Sequence, residues 1–330
     1  MNPFAYERAR DAKSAVAAVS GHSGAVFLGG GTNLVDHMKL GLIAPQKLVD
    51  VSRLPLDRVE KLPDGGVRIG AAVRNSDLAA DRTIRTRYPV LSQALLAGAS
   101  GQLRNLATTA GNLLQRTRCV YFQDLSTPCN KRAAGNGCSA LDGYTRYHAI
   151  LGASRHCVAV HPSDMAVAMA ALDAVVVVLG TGGERRIPLV EFHCLPDDRP
   201  ERDTVLGHGE LILGVELPAL SFASRSRYRK VRDRASYAFA LVSVAVALDL
   251  EGGSVRDVRI ALGGVAHKPW RATEAEKVLR GEAATRENFR RAAEAELAVA
   301  QPLGGNAFKI PMARNTIVAV LAALSERAAS

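Results

Sequence analysis

The sequence of 330 residues contains no apolar run that approaches the roughly 20 residues needed to span a bilayer. Its N-terminal stretch, MNPFAYERARDAKS, is polar and lacks the apolar core of an export signal. We therefore expect a soluble chain with no membrane span and no export signal of its own. Such a chain would stay in the cytoplasm or reach the periplasm by co-export with a partner subunit.

Aromatic residues are also scarce, at 5% of the chain with a single Trp, although the net charge is +10. Lys and Arg occur singly or in short pairs such as Arg185 and Arg186. Nucleic-acid-binding surfaces usually concentrate basic residues on one face, within a recognisable module. The composition therefore argues against a nucleic-acid partner and favours an acidic partner subunit or a phosphate-bearing cofactor.

Motifs for substrate chemistry are missing as well. The sequence has no nucleophile elbow, no metal-binding triad and no pattern expected of a molybdenum site. His37, His161 and His267 could act as acid–base groups by residue type alone, but none has a partner that is readable from the sequence. We expect them to be structural or surface residues.

Hydrophobic periodicity predicts an α+β protein. It predicts helices over 11–19, from Thr32 as cap to about Lys39, over 75–99, and after a Ser163 cap. Strand signals follow the first helix and surround the Pro-Asp-Gly-Gly turn of VEKLPDGGVRIGAAV, and a further strand is expected from Ala240.

The same pattern divides the chain into two domains. We place the first at 1–222, with subdomains 1–58 and 59–222, and the second at 223–330, where a sheet is followed by helices rich in Ala, Glu and Arg. An irregular segment at about 114–160 is rich in Gly, Asn, Thr, Arg and Cys. A segment this long without periodicity is usually functional.

A glycine triplet, in VFLGGGTNLVDHMKLG, lies between a predicted strand and a predicted helix. Without side chains, the backbone N–H groups of such a loop can approach an anion. The spacing matches neither the G-x-G-x-x-G fingerprint nor a P-loop. Alone, the triplet favours a simple turn, because glycine commonly punctuates turns.

Three further segments accompany the triplet. ATTAGNLLQ (107–115) has small and hydrogen-bonding residues before an apolar run, HPSDMA (161–166) places a carboxylate at a helix start, and YRKVRDR (228–234) contains a Lys. Each alone is typical of a capped turn, an N-cap or a solvated basic strand. Their order is more specific than any one of them.

In this order the segments resemble the flavin-binding middle subunits of the xanthine dehydrogenase/carbon monoxide dehydrogenase family of molybdenum hydroxylases. That family typically carries A-G-G-T-[ND]-L, T-x-G-G-N, S-D and then a Lys in a strand, and the resemblance covers essentially the whole chain. Gly29 replaces the usual Ala of the first motif, and Ala110 replaces the first Gly of the second. The implied fold is a two-part FAD-binding domain of the vanillyl-alcohol-oxidase (PCMH) type, followed by an antiparallel-sheet-and-helix domain.

The resemblance also implies roles for residues in FAD binding. The pyrophosphate cradle would consist of Leu28, Gly29, Gly30, Gly31, Thr32, Asn33 and Leu34. The second diphosphate-side loop would consist of Thr108, Thr109, Gly111 and Asn112. Asp164 would hold ribose or ribityl hydroxyls, and Lys230 would lie near the pyrimidine edge of the isoalloxazine, where a cation stabilises the reduced flavin.

Four cysteines occur in the irregular segment with the spacing C-x9-C-x8-C-x18-C: Cys119, Cys129, Cys138 and Cys157. The residues alone leave two disulfides, a zinc site and an iron–sulfur cluster open, although zinc sites commonly contain a C-x2-4-C pair that is absent here. Within the family, the stretches GASGQLRNLATTAGNLLQRTRCVYF and PCNKR resemble the flavin subunits of bacterial periplasmic aldehyde oxidoreductases. That resemblance implies a [4Fe–4S] cluster held by the four cysteines.

Arg116, Arg118, Lys131 and Arg132 surround these cysteines in the sequence. They could raise the reduction potential of a cluster, form a solvated rim or contact another subunit. The resemblance implies an electron-transfer subunit whose partners are a molybdenum-cofactor catalytic subunit and a [2Fe–2S] subunit. The alternatives are a stand-alone FAD-dependent reductase of the same fold with structural zinc, and a binding or assembly protein without redox activity.

Overall fold

The computed structural model describes residues 1–329 and contains three β-sheets. The first sheet is formed by β1 (Ala5–Arg8), β2 (Ala25–Leu28) and β3 (Lys47–Asp50). Both outer strands pair with β3 in parallel, in the order β1-β3-β2. Helices α1 (Ala12–Ser20) and α2 (Leu34–Lys39) connect them.

Of the two helices predicted in this part of the chain, the first is confirmed and the cap predicted for the second is wrong. The helix expected over 11–19 is confirmed as α1, and the Asp11 side chain caps it by accepting from Ser14 N at 2.7 Å. The expected cap at Thr32 is wrong. Asn33 occupies the N-cap of α2 without capping it, because its Oδ1 accepts a hydrogen bond from the backbone of Arg116 instead.

The second sheet is antiparallel, with the order β4-β5-β8-β6-β7. Its strands are β4 (Val59–Lys61), β5 (Val67–Gly70), β6 (Val175–Gly180), β7 (Gly183–Pro188) and β8 (Leu211–Leu217). The hairpin predicted at Pro-Asp-Gly-Gly is confirmed as β4–β5. The helices of this part are α3 (Asn75–Ala80), α4 (Arg82–Arg87), α5 (Pro89–Ala97), α6 (Gly101–Arg104), α7 (Thr109–Leu113), α8 (Val120–Gln123), α9 (Asp164–Ala171) and α10 (Leu189–Phe192).

The single long helix predicted over 75–99 is wrong, because two residues interrupt it. Asp81 ends α3 and caps α4, its carboxylate accepting from Ile84 N at 2.9 Å. Pro89 has no N–H with which to continue α4 and starts α5 as its first residue. The Ser163 cap of α9 is confirmed, since its side chain accepts from Ala166 N at 2.9 Å.

The third sheet is antiparallel with the order β12-β11-β10-β9 and confirms the strand expected from Ala240. Its strands are β9 (Ser226–Val231), β10 (Val242–Glu251), β11 (Ser254–Gly263) and β12 (Trp270–Arg271). The helices expected after this sheet are confirmed as α11 (Thr273–Leu279), α12 (Arg286–Leu297) and α13 (Lys309–Ala329).

The strand β10 is buried on both faces, which explains its nearly continuous apolar sequence. The side chains of Val242, Val244 and Val246 belong to a core shared with α12 and α13. The alternate residue Ala245 belongs to the large core shared with α5 and α9. The third sheet is therefore packed directly against the helices of the second part, with β9 against α5 and its side chains reaching Asp164 at the start of α9. No helix among residues 1–329 is long and apolar enough to cross a membrane.

Candidate functional site

The glycine triplet after β2 packs against the segment that leads into α7. A Cβ atom on Gly30 would overlap the carbonyl oxygen of Leu106, and one on Gly29 would lie 3.3 Å from Thr108 Oγ1. Gly31 has φ +73°, a conformation that side-chain-bearing residues rarely adopt. The structure therefore brings the first two predicted motifs together, and it does so through backbone contact that requires glycine.

The backbone amides of this loop remain available for a ligand. In the part of the chain that the structure describes, the N–H groups of Gly30, Gly31 and Thr32 donate to no backbone acceptor. Successive free amides in a turn form a concavity that binds anions. The loop thus fits a phosphate-bearing group by an observation independent of its sequence.

The second motif holds its own shape by internal hydrogen bonds. Thr108 caps α7 by accepting from Gly111 N at 3.2 Å, and the buried Thr109 hydroxyl donates to Val73 O at 3.0 Å. Asn112 Oδ1 accepts from Ser163 Oγ at 2.6 Å. These side chains fix the loop and tie it to the start of α9, while Gly111 N is already engaged.

Asp164 and Lys230, the other two predicted flavin contacts, form a buried ion pair. Lys230 Nζ lies 2.8 Å from Asp164 Oδ2, and the side chains are 4% and 8% exposed respectively. Lys230 Nζ also donates to Ala97 O at 3.2 Å. The lysine charge is therefore balanced by a carboxylate within the protein.

Tyr228 completes this group and was not foreseen from the sequence. Its hydroxyl donates to Asp164 Oδ1 at 2.5 Å, so that each carboxylate oxygen has its own donor. Burial, together with the adjacent carboxylate, raises the pKa of Tyr228 well above its ordinary value. Tyr228 and Lys230 are two positions apart on β9 and so share one face of the strand, a period-2 signal that sequence reading could have used.

The four clustered cysteines lie in one folded loop, and all four are free thiols. Cys194, outside this loop, is also a free thiol. Cys129 and Cys138 are paired by a local antiparallel bridge, and Cys129 and Cys157 are buried. Over residues 1–329, no three His, Cys, Asp or Glu side chains are grouped closely enough to hold a metal ion. The four predicted cysteines share this insertion, and in the described residues their thiols do not form a preassembled metal site.

The thiols of this region influence each other electrostatically. Burial raises the pKa of Cys119 to about 11, with a further increase from Cys129 and Cys138. Burial raises the pKa of Cys157 to about 12, Lys131 opposes this increase, and Cys138 and Cys119 add to it. Thiols in such a setting lose their protons when an electropositive group is supplied, which is what a metal or cluster does.

His148 is a neighbour of the cysteines that sequence reading missed. Its Nε2 lies 3.1 Å from Cys119 Sγ, and burial lowers the pKa of His148 to about 4. The imidazole is therefore neutral near pH 7. No motif surrounds His148 in the sequence, so only the fold reveals this contact.

The four cations expected around the cysteines are engaged in specific contacts. Lys131 is 1% exposed and pairs with Asp203 at 2.5 Å, and Arg116 pairs with the same carboxylate at 2.6 Å. Arg118 pairs with Asp36 at 3.1 Å, and Arg132 donates to the carbonyls of Tyr121, Phe122 and Thr127. Only two of the four thus share a partner, and that partner, Asp203, has no recognisable motif.

His161 and His193 both contact Leu113, which belongs to the second motif. Both donate from Nε2 to the carbonyl of Leu113, at 3.3 and 2.9 Å, and their ring centroids are 4.3 Å apart. Burial lowers the pKa of His193 to about 4 and that of His161 well below its ordinary value. His267, whose pKa burial lowers to about 3, bonds Ala159 O at 3.0 Å.

The arrangement as a whole can bind and orient a nucleotide-like ligand. It offers free amides for phosphate, a buried carboxylate for hydroxyl groups and a lysine beside it. These residues fit a flavin dinucleotide, whose diphosphate and polyol are the groups such donors and acceptors recognise.

Family models match nearly the whole chain. Residues 2–220 match the FAD binding domain in molybdopterin dehydrogenase, and residues 226–324 match the CO dehydrogenase flavoprotein C-terminal domain. The predicted combination of an FAD-binding domain with a C-terminal sheet-and-helix domain is thereby confirmed.

Individual relatives agree with these matches. The chain is 51% identical over 324 residues to the aldehyde oxidoreductase FAD-binding subunit PaoB of Escherichia coli (strain K12), with 98% of each chain covered. It is 28% identical to the glyceraldehyde dehydrogenase medium chain of Sulfolobus acidocaldarius, with 83% of this chain and 80% of the relative covered. The carbon monoxide dehydrogenase from Hydrogenophaga pseudoflava, solved without the Mo-pyranopterin moiety of its molybdenum cofactor, aligns with a TM-score of 0.77 at 27% identity over 99% of each chain.

Proposed function

Because the chain belongs to the FAD-binding subunits of the molybdenum hydroxylase family of oxidoreductases, we propose that it is the electron-transfer subunit of a heteromeric aldehyde oxidoreductase. The observation that carries this proposal is the contact of the Gly29–Gly31 loop with the Leu106 and Thr108 segment, which presents free amides to a diphosphate. The 51% identical relative named as an aldehyde oxidoreductase subunit supports the substrate class.

Each predicted flavin contact is assigned a role. The backbone of Leu28, Gly29, Gly30, Gly31, Thr32, Asn33 and Leu34 holds the diphosphate. Thr108, Thr109, Gly111 and Asn112 fix the second loop against it. The Asp164 carboxylate binds hydroxyls of the polyol, and Lys230 lies at the pyrimidine edge. When bound, FAD supplies an acceptor for two electrons and a donor to an external oxidant.

The four cysteines hold, in our proposal, a [4Fe–4S] cluster. Cys119, Cys129, Cys138 and Cys157 come from separate turns of one loop, as thiolate ligands of such clusters commonly do. The buried Lys131 provides a positive charge beside a site that would carry net negative charge. The backbone hydrogen bond from Asn130 N to Gly137 O, at 2.7 Å, joins the segments that carry Cys129 and Cys138.

The proposed partners are a molybdenum-cofactor catalytic subunit and a [2Fe–2S] subunit. The residues described above can bind and orient a cofactor, and nothing among them suits aldehyde hydroxylation. We therefore place hydroxylation on the first partner and electron delivery on the second. The Sulfolobus relative, named as the medium chain of a glyceraldehyde dehydrogenase, supports a complex of several subunits.

Spectroscopy and analysis of the purified complex test the proposal. We expect flavin absorption bands, FAD released on denaturation, and about four iron and four acid-labile sulfide atoms per chain beyond those of the [2Fe–2S] partner. A colourless protein would overturn the flavin assignment. Flavin with zinc and no additional iron, in a chain that purifies alone, would instead support the stand-alone reductase. Cell fractionation decides between periplasm and cytoplasm.

Two serine variants test the cluster separately from the flavin. Cys138→Ser should lose the additional iron and keep FAD, whereas Cys194→Ser, which alters the cysteine outside the insertion, should keep both. Unchanged iron in Cys138→Ser would overturn the assignment of the cluster to this loop. Equal loss of iron and FAD would show that the loop is structural support for the flavin site and not an independent cofactor site.

A further inference from the structure

Asp203 lies between the candidate flavin loop and the cysteine insertion, and its two carboxylate oxygens face different segments. Oδ2 accepts from Arg116 Nε at 2.6 Å, and Oδ1 accepts from Lys131 Nζ at 2.5 Å. One carboxylate therefore connects the residue that follows the second flavin motif with a residue two positions after Cys129.

On the flavin side, the connection continues through the backbone of Arg116. Its N–H donates to Asn33 Oδ1 at 3.0 Å, and Asn33 directly follows the glycine triplet and Thr32. The Arg116 guanidinium also lies over the Phe122 ring, 4.8 Å from its centroid. Asp203 and Phe122 thus fix Arg116, and Arg116 fixes the end of the glycine loop.

On the cysteine side, the connection depends on the buried side chain of Lys131. Lys131 is 1% exposed, and its Nζ donates to Pro200 O at 2.6 Å in addition to Asp203. A buried ammonium left without its carboxylate is strongly unfavourable, so the turn that carries Lys131 is held where Asp203 lies.

Asp203 itself is anchored by the backbone. Its carbonyl accepts from Cys194 N at 3.0 Å, and the neighbouring Thr204 forms a bridge with His193. Partial burial alone would raise the pKa of the Asp203 carboxyl, but Lys131 and Arg116 hold it well below its usual range. The carboxylate is therefore charged near pH 7, where it can pair with both cations.

We propose that Asp203 is a positioning residue that couples the cysteine-rich insertion to the first flavin loop. The proposal rests on the proposed function for the identity of the two sites. Since coupling between two binding sites is reciprocal, FAD binding should order the insertion, and an intact insertion should tighten FAD binding. The coupling requires no contact between the two cofactors.

Hydrogen exchange of the complex with and without FAD measures this coupling. In the wild-type complex, FAD should slow exchange at 28–34, at Arg116, and at 129–132. In Asp203→Asn, which keeps the size and one oxygen acceptor but removes the charge, FAD should protect 28–34 and no longer protect 129–132. The FAD dissociation constant should rise by about 5- to 150-fold, the range typical of coupling between sites.

The matched control is Glu210→Gln. Glu210 is 18% exposed, against 26% for Asp203, and pairs with Arg185 on β7 through two bonds of 2.7 Å. Glu210→Gln should change the free energy of unfolding without changing the protection of 129–132 by FAD. If this control and Asp203→Asn reduce that protection equally, Asp203 has only a structural role and the proposal fails.

A second variant covers the case in which Asp203→Asn does not fold. Arg116→Met leaves Lys131 paired with Asp203, so this variant creates no unpaired buried ammonium. Because it breaks the contact between Asp203 and residue 116, Arg116→Met should also abolish the protection of 129–132 by FAD. Persistent protection in Arg116→Met overturns the proposal. Absence of protection at 28–34 in the wild-type complex would refute FAD binding itself, and so separates failure of the proposed function from failure of the coupling.

Discussion

Lys230 and Asp164 come from the third sheet and from the start of α9, yet their Nζ and Oδ2 atoms lie 2.8 Å apart in a buried position. Lys230 therefore does not bring a free positive charge to the pyrimidine edge of a flavin. It brings one half of a neutral pair, and Tyr228 fixes the other half. The expectation of a simple cation at this position changes accordingly, because the lysine charge is balanced by the Asp164 carboxylate.

A double-mutant cycle tests the strength of this pair. Lys230→Met or Asp164→Asn should each lower the free energy of unfolding by about 3–5 kcal/mol, because each leaves the other buried group unpaired. The double variant should lose clearly less than the sum of both. Urea unfolding of each variant measures these values.

The control for this cycle is the exposed pair of Lys277 and Glu274, whose side chains are 64% and 58% exposed. Removing either should change the free energy of unfolding by no more than about 1 kcal/mol. Additive losses at Lys230 and Asp164 would mean that the two groups do not interact in solution.

Tyr228→Phe should weaken FAD binding as well as stability. The change removes the donor at 2.5 Å from Asp164 Oδ1, at a cost of about 1–3 kcal/mol in the free energy of unfolding. It also frees the carboxylate to rotate, so FAD should dissociate more readily, as titration of the apoprotein would show.

Tyr88→Phe is the matched control, since Tyr88 is also buried and its hydroxyl donates to Pro218 O at 2.8 Å. It should reduce stability similarly and leave the FAD dissociation constant unchanged. If Tyr228→Phe behaves in the same way as Tyr88→Phe, then Tyr228 is a packing residue with no role toward the flavin.

The elements that sequence reading predicted correctly are those whose local pattern agrees with their tertiary environment. The strand from Ala240, the hairpin at Pro-Asp-Gly-Gly and the Ser163 cap all have signals contained within a few residues. The helix over 75–99 failed because apolar periodicity continues across Asp81 and Pro89, where backbone chemistry ends it. The cap predicted at Thr32 is wrong because α2 begins one residue later, with Asn33 as its N-cap. The Asn33 side chain accepts from the backbone of Arg116 instead of capping the helix.

In the candidate site, too, residues with a local sequence signal were predicted and residues defined by long-range contacts were not. Glycine loops and cysteines are recognisable because the chemistry restricts residue type at fixed spacing. Asp203 lies in the charged loop DDRPERDT, where nothing local distinguishes it from Asp197 or Asp198. Its position is defined by Arg116 and Lys131, more than 70 residues away in sequence. Such groups can be identified only from the fold.

Gly30→Ala should abolish FAD binding, because the added Cβ would overlap the carbonyl oxygen of Leu106 and separate the two loops. Gly182→Ala, in the β6–β7 turn where no atom lies within 4 Å of an added Cβ, should bind FAD normally. Circular dichroism should show that both variants keep the wild-type secondary structure. Wild-type FAD affinity in Gly30→Ala would contradict the assignment of this loop to the diphosphate.

We expect Lys309 to make the free energy of unfolding depend on pH. It is fully buried at the start of α13, where Nζ donates to His148 O and Gly264 O at 2.9 and 2.8 Å. Burial, with a smaller effect from Arg146, lowers the pKa of Lys309 to about 7. Arg146 is itself paired with Asp233, so its charge persists over the whole range in which Lys309 titrates.

Because the pKa of an unfolded lysine is about 10.4, the unfolded chain binds more protons than the folded protein between about pH 7 and pH 10. The contribution of Lys309 to the free energy of unfolding therefore rises with pH in this window. Below pH 7, Lys309 is charged in the folded protein and lowers the free energy of unfolding by the full amount. Lys309→Met should remove this slope, so the wild type should gain about 3–5 kcal/mol relative to the variant between pH 7 and pH 10. Urea unfolding at several pH values measures the difference, with the exposed Lys277→Met as control. A wild-type-minus-variant difference that stays constant with pH, as expected for Lys277→Met, would show that Lys309 remains protonated at its two carbonyl partners throughout.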